Sequence, residues 1–552
     1  MKTTIKKWLL KGSLVLALSS CTSDFLNINV DPNNPSTASL DFLLPAAQAS
    51  AGFFWSRNIH QDASIFVQHF YALAPSQYNI TGSTYGNDFN GTYNAALKDF
   101  DGIIKQGTER NFKGYVGIAK VMQGYLYMML VDAFGDVPFS EALQGETIKS
   151  PRYDDDAEVY AGVITLLTEA KADLTAAIAA NEPRLNSDLV YGTSANAATQ
   201  YNRWIKAANT ILLRLYLNLG NVNPSQATTG INALITENNF ISSNAEDFQL
   251  VYGSTQAPLT RHPLFQQEYA GVGKGFYITN YFMYHMLLKN DPRLTYYVFR
   301  QGTDAQITAD AQLRPCRNKP NCVYGWLSVD PGNKGLTPLD PALANGYIGR
   351  DMGDDSGIPG DNQVRATFGV YPIGGSYDRG PGGGARTINS GATGAGVIPF
   401  MTNFMRAFML AEAAITLGTP GDPRALMLEG IDASFAKVET FSRANDGAAP
   451  VMATAAKDAY KALVTGRYDA ANTATDRLDV IISEKYFANF GNGMETYTDY
   501  RRTGMPSNLP APIVPLGPQP RRFPLPPAEL NANANAPNPP PLVVDRIFWD
   551  NK

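Results

Sequence analysis

Cysteine, charge and long apolar runs are all scarce in this sequence. Three cysteines and four histidines in 552 residues leave few ligands for zinc, and no histidine lies near the Cys316 and Cys322 pair. Charged residues make up 17% of the chain, below the roughly 25% of a typical globular protein. Acids outnumber Lys and Arg by 50 to 45, which argues against a nucleic-acid partner, because that would require a basic face.

The N-terminus has the layout of an export signal. The first eleven residues contain four lysines and no acid, and a mostly apolar run from Gly12 to Leu18 follows. This run is far shorter than the roughly 20 apolar residues that a helix needs to cross a bilayer. The next residues, Leu18-Ser19-Ser20-Cys21, are similar to a bacterial lipobox, in which the cysteine becomes the acylated N-terminus. An ordinary signal peptide with a chance cysteine is the alternative.

Cleavage before Cys21 would change the charge of the mature chain. It would remove four lysines and no acid, so the formal net charge would fall from −5 to −9. Aromatic residues are plentiful by contrast, with 28 Tyr, 27 Phe and 5 Trp. Because a tyrosine ring has an apolar face and a polar edge, this composition suits neutral polar ligands, although most of the rings are expected in the core.

The other two cysteines lie close together in RPCRNKPNCVYGW. Five residues separate Cys316 from Cys322, with prolines nearby. In an exported chain this spacing favours a small disulfide that closes an exposed loop, and two free thiols are the alternative.

Helical periodicity dominates the two ends of the chain. Apolar residues recur at three- and four-residue spacing in segments 115–136, 157–180, 203–220, 278–288, 400–418, 425–441 and 475–490. Segment 115–136 is apolar enough to suggest a membrane span, but Lys120, Gln123 and its short length favour a helix buried between neighbours. Strand signals are short and scattered. The sequence therefore predicts an all-α fold, a helical-repeat scaffold, without a large sheet.

The irregular segments divide the chain further. Residues 21–45 are polar and turn-rich and are expected to form a tether. Residues 221–395 are rich in loops and glycine, as in IGGSYDRGPGGGAR, and residues 506–552 form a proline-rich tail. A single body would then occupy 46–552, with its scaffold mainly in 46–220 and 396–505.

Eight segments in a fixed order resemble one known family. They are CTSDFLNINVDPNNPS, LVDAFGDVPFSEAL, PRYDDDAEVYAGVI, NRWIKAANTILLRLYL, KNDPRLTYY, FMLAEAAITLG, EKYFANFGNGMETYTDYRRTGMP and RRFPLPPAELNANAN. On these the chain resembles the SusD/RagB-like surface lipoproteins of Bacteroidetes, in their divergent SusD-like branch. It departs from the family pattern at Thr210, where serine is usual, and at Leu525-Pro526, where an aromatic precedes the proline.

The resemblance implies a fold, a location and partners. The fold would be a body of about eight tetratricopeptide-type helices that carries a large loop-rich elaboration. The protein would be anchored to the outer membrane through acyl chains on Cys21 and would face the outside of the cell. It would capture an oligosaccharide, or in some members a peptide, and deliver it to a SusC-like TonB-dependent transporter.

Most of the matching residues have a structural interpretation. Asp132, Gly135, Asp136 and Pro138 would end a buried helix. Arg214 is expected to pair with a carboxylate, and Asp291 with Arg293 to form a charge clamp. Arg501 and Arg502 are expected to form an internal clamp, since a buried charge is normally paired, and anion binding is the alternative. Glu412 is expected to be a satisfied core acid, with a catalytic role as the alternative.

No catalytic motif is present. The sequence has no HExxH, G-x-S-x-G or Walker loop, and GVGKGF (271–276) lacks the third glycine of a dinucleotide-binding loop. No cofactor is therefore expected, with one weak exception. Four acids in RDMGDDSGIPGD could hold a structural calcium, although a solvated acidic loop is favoured: Asp351, Asp354, Asp355 and Asp361.

Sugar capture needs aromatic platforms with amides and carboxylates for the hydroxyl groups. The candidates lie in segments that the sequence predicts to be loops: Trp55, Tyr78, Tyr85, Asn87, Tyr324, Trp326, Tyr347 and Tyr371. Trp326 is the preferred one, and packing is the alternative role for each. The sequence predicts a binding protein, with a surface adaptor, a peptide-binding lipoprotein or a glycan hydrolase as alternatives.

Overall fold

The structure, a computed structural model, describes residues 38–72, 77–145, 147–271, 275–303, 305–306, 345–354 and 364–552. Helices dominate these residues, which confirms the predicted all-α class. In chain order they are α1 Leu40–Trp55, α2 Asn58–Phe66, α3 Lys98–Glu109, α4 Lys113–Phe134, α5 Asp156–Ala179, α6 Ala197–Leu219, α7 Pro224–Glu237, α8 Pro263–Phe265, α9 Asn280–Leu288, α10 Leu294–Tyr297, α11 Asn403–Thr416, α12 Pro423–Asn445, α13 Thr454–Ala470, α14 Ala474–Ala488, α15 Gly493–Thr503 and α16 Pro527–Ala532. Two π-helical segments, Asn87–Leu97 and Gln266–Ala270, and the 3₁₀ segments Gly82–Tyr85, Asn244–Glu246 and Gly391–Gly394 complete the helical elements.

The strands within the described residues form three antiparallel pairs rather than a large sheet. β1 Phe70–Ala72 pairs with β3 Phe276–Ile278, and β4 Val298–Phe299 pairs with β5 Thr367–Phe368. The longest pair joins β2 Phe248–Tyr252 to β6 Gly396–Met401, with Leu250 opposite Ile398. All three pairs lie in or beside the loop-rich half, so they shape the elaboration and not the scaffold.

Consecutive scaffold helices pack closely because glycines lie at their contact points. A Cβ built on Gly117 of α4 would lie 2.5 Å from Leu174 Cγ of α5, and one on Gly124 would lie 2.9 Å from Leu167 Cδ2. Because the later α4 residue faces the earlier α5 residue, the two helices run antiparallel. This arrangement of packed neighbours is the predicted tetratricopeptide-type scaffold.

Six long predicted helices are confirmed with boundaries close to those observed. Segment 115–136 corresponds to α4, 157–180 to α5, 203–220 to α6, and 278–288 to the shorter α9. The segments 400–418, 425–441 and 475–490 correspond to α11, α12 and α14. Helix α4 is buried along nearly its whole length. No helix among the described ranges combines the length and apolarity needed to cross a bilayer.

Several helices were missed by the sequence interpretation. Helix α1 begins at Leu40, six residues before the predicted start of the body at 46, so the tether extends less far than residue 45. Its apolar stripe is present in the sequence at Leu40, Leu44, Ala47, Ala51 and Trp55, but the turn-rich residues before it and Pro45 obscured the pattern. Helix α13 was also missed, because its buried face has only Tyr460, Val464 and Tyr468.

The scaffold has buried ion pairs at its centre. Arg214 of α6 pairs with Asp132 of α4 and, at 3.0 Å, with Glu495 of α15. Lys485 of α14 pairs with Glu495 at 3.0 Å. Arg502 pairs with Glu412 of α11 at 2.8 Å. The predicted roles of Arg214, Arg502 and Glu412 as internal charge partners are therefore confirmed.

Of the two other predicted charge clamps, one is present and one is not. Arg293 pairs with Asp291 at 2.6 Å, as expected. Arg501, by contrast, makes no ion pair with any described carboxylate. Its guanidinium lies over the rings of Tyr497 and Trp549 and donates to the carbonyl of Arg521 at 2.7 Å.

The C-terminal tail contains the short helix α16 and is packed against the scaffold. The Phe523 amide donates to the Ala133 carbonyl at 2.8 Å, at the end of α4. The Trp549 side chain is buried, and its Nε1 donates to Asp132 Oδ1 at 3.1 Å. The tail therefore closes the scaffold around the end of α4.

Candidate functional site

Two clefts lie on either side of a turn at residues 377–379 in the loop-rich half. The first has a volume of about 600 Å³ and lies between the end of α9, the following turn at 290–296 and the loop 450–453 that precedes α13. The second has a volume of about 580 Å³ and lies between the glycine-rich loop 375–383, the loop 389–393 and the end of α12. Tyr377 lines both clefts, so we call this turn the Tyr377 ridge.

The ridge has an uncommon backbone conformation. Tyr377 and Asp378 are consecutive non-glycine residues with positive φ, 45° and 58°. Ala392 and Thr393, on the opposite wall of the second cleft, repeat this with φ of 52° and 55°. Such conformations cost on the order of 1–3 kcal/mol each and cluster at ligand-binding sites, where the surrounding structure holds them in place.

Hydrogen bonds to the segment 295–300 hold the ridge in this conformation. The amides of Gly375 and Tyr377 donate to the carbonyls of Tyr296 and Thr295, at 2.8 and 2.9 Å. The Arg300 amide donates to Ser376 Oγ at 3.0 Å. The ridge is therefore fixed to β4 and α10 before any ligand binds.

The two clefts differ in chemistry. The first is lined largely by apolar side chains, among them Met286, Leu287, Val451 and Met452, with Asn290 and Asn345 at its edge. The second is lined by glycine backbone and by amide, hydroxyl and charged side chains: Ser376, Arg379, Asn389, Ser390, Thr393, Asn445 and Asp446. The second cleft can therefore form many hydrogen bonds with a ligand rich in hydroxyl groups.

Of the aromatic residues predicted from the sequence, Tyr347 lies at the first cleft. Its ring packs under the guanidinium of Arg300, 4.3 Å from Cζ to the ring centroid, and only 3% of the residue is exposed. Tyr371 instead lines a small enclosed cavity of about 20 Å³ together with His60 and His262. The structure thus places one of the two beside the ridge and the other in the interior.

Three other predicted residues are in the core rather than in exposed loops. Trp55 ends helix α1 with 5% exposure, and its Nε1 donates to the Tyr125 hydroxyl at 2.9 Å. Tyr78 is buried, and the buried Tyr85 donates its hydroxyl to Asp62 at 2.5 Å. These rings are covered by protein, so the structure gives them the packing role. Asn87 is exposed at the start of a π-helical segment, away from both clefts.

Five of the predicted cysteine and aromatic residues fall outside the described ranges. These are Cys21, the cysteines Cys316 and Cys322, and the aromatic residues Tyr324 and Trp326. The lipidation site, the disulfide and the preferred ring contact stay predictions.

The predicted calcium loop is partly described. Asp351 and Asp354 are buried, which contradicts the expectation of a solvated acidic loop. Asn280 Nδ2 donates to Asp351 Oδ2 at 3.0 Å, and Arg350 Nη1 lies 3.4 Å from Asp354 Oδ2. Both carboxylates thus have protein partners, while Asp355 and Asp361 fall outside the described ranges.

A different group of acids comes together at the end of α4. Carboxylate oxygens of Asp136, Asp155 and Asp156 lie within 4.8 Å of one another. Burial, with a smaller contribution from the two neighbouring acids, raises the pKa of Asp156 to about 6. Asp155 caps α5 by accepting from the Ala157 amide, and Arg522 lies close enough to interact with the cluster. These contacts give the acids a structural role.

Sequence reasoning missed the residues that define the clefts. Tyr377 and Arg379 lie within the glycine-rich stretch GGSYDRGPGGGAR, and an aromatic beside two opposite charges inside a glycine run is the signal that could have found them. Asn389 and Asn445 are 56 positions apart in the numbering and meet only in the fold.

Comparison with family models gives two matches along the chain. Residues 32–311 match a model described as "Starch-binding associating with outer membrane". Residues 393–540 match one described as "Susd and RagB outer membrane lipoprotein". No curated protein matches the chain.

Solved structures resemble the whole chain at low sequence identity. A chitin-binding protein is 20% identical, with a TM-score of 0.67 over 93% of this chain and 100% of its own. A SusD homolog from Bacteroides fragilis is 20% identical, with a TM-score of 0.65 over 94% and 100%. A chitin-binding SusD homolog from Flavobacterium johnsoniae is 18% identical, with a TM-score of 0.62 over 93% and 98%. At such identity these likenesses show the fold.

Proposed function

The chain belongs to the SusD/RagB-like family of outer-membrane nutrient-binding proteins, and from this premise we propose that it captures a glycan at the cell surface and delivers it to a SusC-like TonB-dependent transporter. Capture would take place at the Tyr377 ridge. Delivery would follow from the transfer of the bound glycan to the transporter.

The pair of clefts at the ridge is the observation that carries the proposal. Pockets for small ligands commonly have volumes of about 300–1,000 Å³, and each cleft falls within this range. An oligosaccharide has both hydroxyl groups and apolar ring faces. The second cleft supplies amides and hydroxyls for the former, while the half-buried Phe299 ring supplies aromatic surface for the latter.

The ridge geometry favours binding over the alternatives. An adaptor that only holds other proteins needs no small-molecule cleft, whereas the described part of this chain has two beside the ridge. A glycan hydrolase needs a pair of acids, one of them with a raised pKa, in an open cleft. The two acids whose pKa is raised to about 6, the half-buried Asp62 and the buried Asp156, lie elsewhere and line neither cleft.

The location rests on the N-terminal sequence. Acylation of Cys21 would hold the protein on the outer membrane, because each buried CH₂ group contributes about 0.8 kcal/mol. The body would face the outside of the cell, where glycans arrive. Two of the solved relatives are described as chitin-binding, so chito-oligosaccharides belong in the first ligand panel for this chain.

Two measurements test the proposal. The first is titration calorimetry of the Cys21→Ser chain against neutral and acidic oligosaccharides, with Asn389→Ala as the cleft variant. The second is affinity purification of the acylated protein from solubilised outer membranes, followed by mass spectrometry. Saturable glycan binding that weakens in the variant, together with a co-purifying TonB-dependent barrel, is expected. Purification without a barrel would contradict delivery, and absence of binding to every glycan would contradict capture.

A further inference from the structure

Asp378 and Arg379 are adjacent in sequence and have opposite charges, yet they line different clefts. Asp378 lines the first cleft and Arg379 lines the second. The positive φ of Tyr377 and Asp378 turns the backbone sharply at this point. The ridge therefore separates an acid on one side from a guanidinium on the other.

The acid has a cationic partner within the protein. Arg300 Nη2 lies 3.4 Å from Asp378 Oδ1. Arg300 is fixed in turn, because its Nη1 donates to the Asn345 carbonyl at 3.0 Å and its Cζ lies 4.3 Å from the centroid of the Tyr347 ring. The charge on the first side of the ridge is thus compensated.

The guanidinium has no such partner. Across the described residues, no carboxylate lies within 4.0 Å of Arg379. Its Nε donates to the Ser376 carbonyl at 3.3 Å, and its Cζ lies 5.4 Å from the centroid of the Tyr377 ring. These two contacts hold the base of the guanidinium and leave both terminal nitrogens available to a ligand in the second cleft.

Asp446 is the other charged residue that lines this cleft. Its Oδ1 accepts from the Ala448 amide at 2.9 Å, so it closes the turn after α12. It forms no ion pair with Arg379. An anionic ligand group would consequently pair with Arg379, with the exposed amide of Asn389 available for hydroxyl groups.

We propose that the second cleft binds a glycan with an oxyanion, either a uronic acid carboxylate or a sulfate ester, and that Arg379 recognises this group; the inference rests on the proposed glycan capture. A guanidinium presents parallel N–H donors that match both oxygens of a carboxylate, or two oxygens of a sulfate, and such charge-assisted pairs are stronger than neutral hydrogen bonds. Stacking on Tyr377 fixes the plane of the guanidinium before the ligand arrives.

The test compares glycans that differ only in the charged group. Calorimetry of the Cys21→Ser chain would use oligogalacturonate with its carboxyl-reduced product, and glucuronoxylan fragments with unsubstituted xylo-oligosaccharides. A sulfated galactan fragment with its desulfated form would distinguish the sulfate source from the carboxylate source. Each pair would be measured at 20 and 300 mM NaCl. At least one acidic member is expected to bind tenfold or more tightly than its neutral partner, and the preference should shrink at high salt.

Variants assign the preference to a residue. Arg379→Gln should abolish the preference for the acidic member of each pair, and Arg379→Lys should retain only part of it, because an ammonium lacks the planar fork. Arg477→Gln is the matched control, since Arg477 is also exposed on a tyrosine ring, 5.8 Å from Tyr468, but lines neither cleft.

The outcomes separate this inference from the proposed function. Neutral glycans that bind as tightly as their acidic partners would overturn the inference and leave glycan capture intact, as would a preference that survives Arg379→Gln. Absence of binding to every glycan would overturn both. Thermal melting of each variant would show that the fold is unchanged, which is expected because the Arg379 side chain is exposed.

Discussion

Arg214 and Glu495 lie 281 residues apart in sequence and form a buried ion pair at 3.0 Å. Arg214 also pairs with Asp132, so a single guanidinium joins helices α4, α6 and α15. Burial and the neighbouring Lys485 and Arg214 have opposite effects on Glu495, and the cations prevail, so the pKa of its carboxyl is lowered. The ion pairs of Arg214 therefore connect the N-terminal and C-terminal halves of the scaffold, so the stability of each half depends on the other.

Loss of Arg214 should be costly. Arg214→Met is expected to lower the free energy of unfolding by about 3–5 kcal/mol, because Asp132 and Glu495 would be left buried without their cation. Urea unfolding measures the change. Arg424→Met is the control, since Arg424 pairs with Asp469 on the surface, where solvent screens the pair, and its loss should cost much less. Similar costs for the two variants would contradict this account.

Two glycine-to-alanine substitutions in helices should have opposite effects. Gly117→Ala places a Cβ 2.5 Å from Leu174 Cγ and should destabilise the protein by about 1–3 kcal/mol through overpacking. In Gly102→Ala, on α3, the added Cβ meets no other atom within 4 Å. This substitution should stabilise the protein by up to about 1 kcal/mol, because alanine has a higher helix propensity than glycine. Thermal melting of both variants provides the comparison, and a stabilised Gly117→Ala would show that α4 and α5 pack less closely than described.

The buried histidines should make the fold sensitive to acid. Burial lowers the pKa of His60, His69, His262 and His285 to about 3, from an ordinary value of 6.5. Between these two values the unfolded chain binds protons that the folded chain excludes. The stability that each histidine contributes is therefore full above pH 6.5 and is lost as the pH falls towards 3, by up to about 1.4 kcal/mol per pH unit.

A single substitution isolates this effect. His69 donates from Nε2 to the Tyr486 carbonyl at 3.1 Å, and a glutamine amide can donate in its place. As the pH falls from 7 to 5, the free energy of unfolding of the His69→Gln variant should decrease by about 2 kcal/mol less than that of the original chain, as measured by urea unfolding. Parallel losses in the two chains would show that His69 takes up its proton without unfolding.

Asp62 should have the opposite pH dependence. Burial raises its pKa from 3.8 to about 6, despite the hydrogen bond from Tyr85. The folded chain therefore binds the extra proton between these values, and stability is lost as the pH rises through about 6. Asp62→Asn removes this loss. As the pH rises from 4 to 7.5, the free energy of unfolding of the variant should therefore increase by about 2–3 kcal/mol relative to that of the original chain. An unchanged difference across this range would indicate that Asp62 ionises freely.

Glycan affinity should depend on the amides of the second cleft. Asn389→Ala removes an exposed side chain that lines it, and the loss of one or two hydrogen bonds should weaken binding about 2- to 10-fold. Asn472→Ala is the control, because Asn472 is exposed on the turn between α13 and α14 and lines neither cleft. Calorimetry measures both affinities, and equal values would place the ligand elsewhere.

The sequence was sufficient for the scaffold where apolar spacing was strong. The stripes of α4, α6 and α11 predicted helices at nearly their observed bounds, and Arg214 could be expected to pair because a buried cation requires a partner. Helix α13 was missed because tertiary packing, rather than its own apolar content, determines it. In α1 the preceding turn residues hid a stripe that was present.

The clefts could not be predicted in the same way. Their walls are built from loops whose positions depend on backbone conformation, and the positive φ of Tyr377 cannot be inferred from the sequence, because a bulky aromatic residue rarely adopts it. Aromatic residues in apparent loops were a poor guide, since Trp55 and Tyr85 turned out to fill the core. Tyr347 lies beside the ridge because its ring packs against Arg300, which also pairs with Asp378.

The packing of the tail has a consequence for dissecting the protein into fragments. Asp132, near the end of α4, needs Tyr160, Arg214 and Trp549 to satisfy its charge, and Ala133 receives a hydrogen bond from Phe523. A fragment that stops after the first scaffold helices would expose this acid together with the apolar surface that the tail covers. Expression of isolated halves should thus yield aggregates. Reporter insertions that preserve the fold are better placed in the exposed loop 254–259, which makes few contacts with the scaffold.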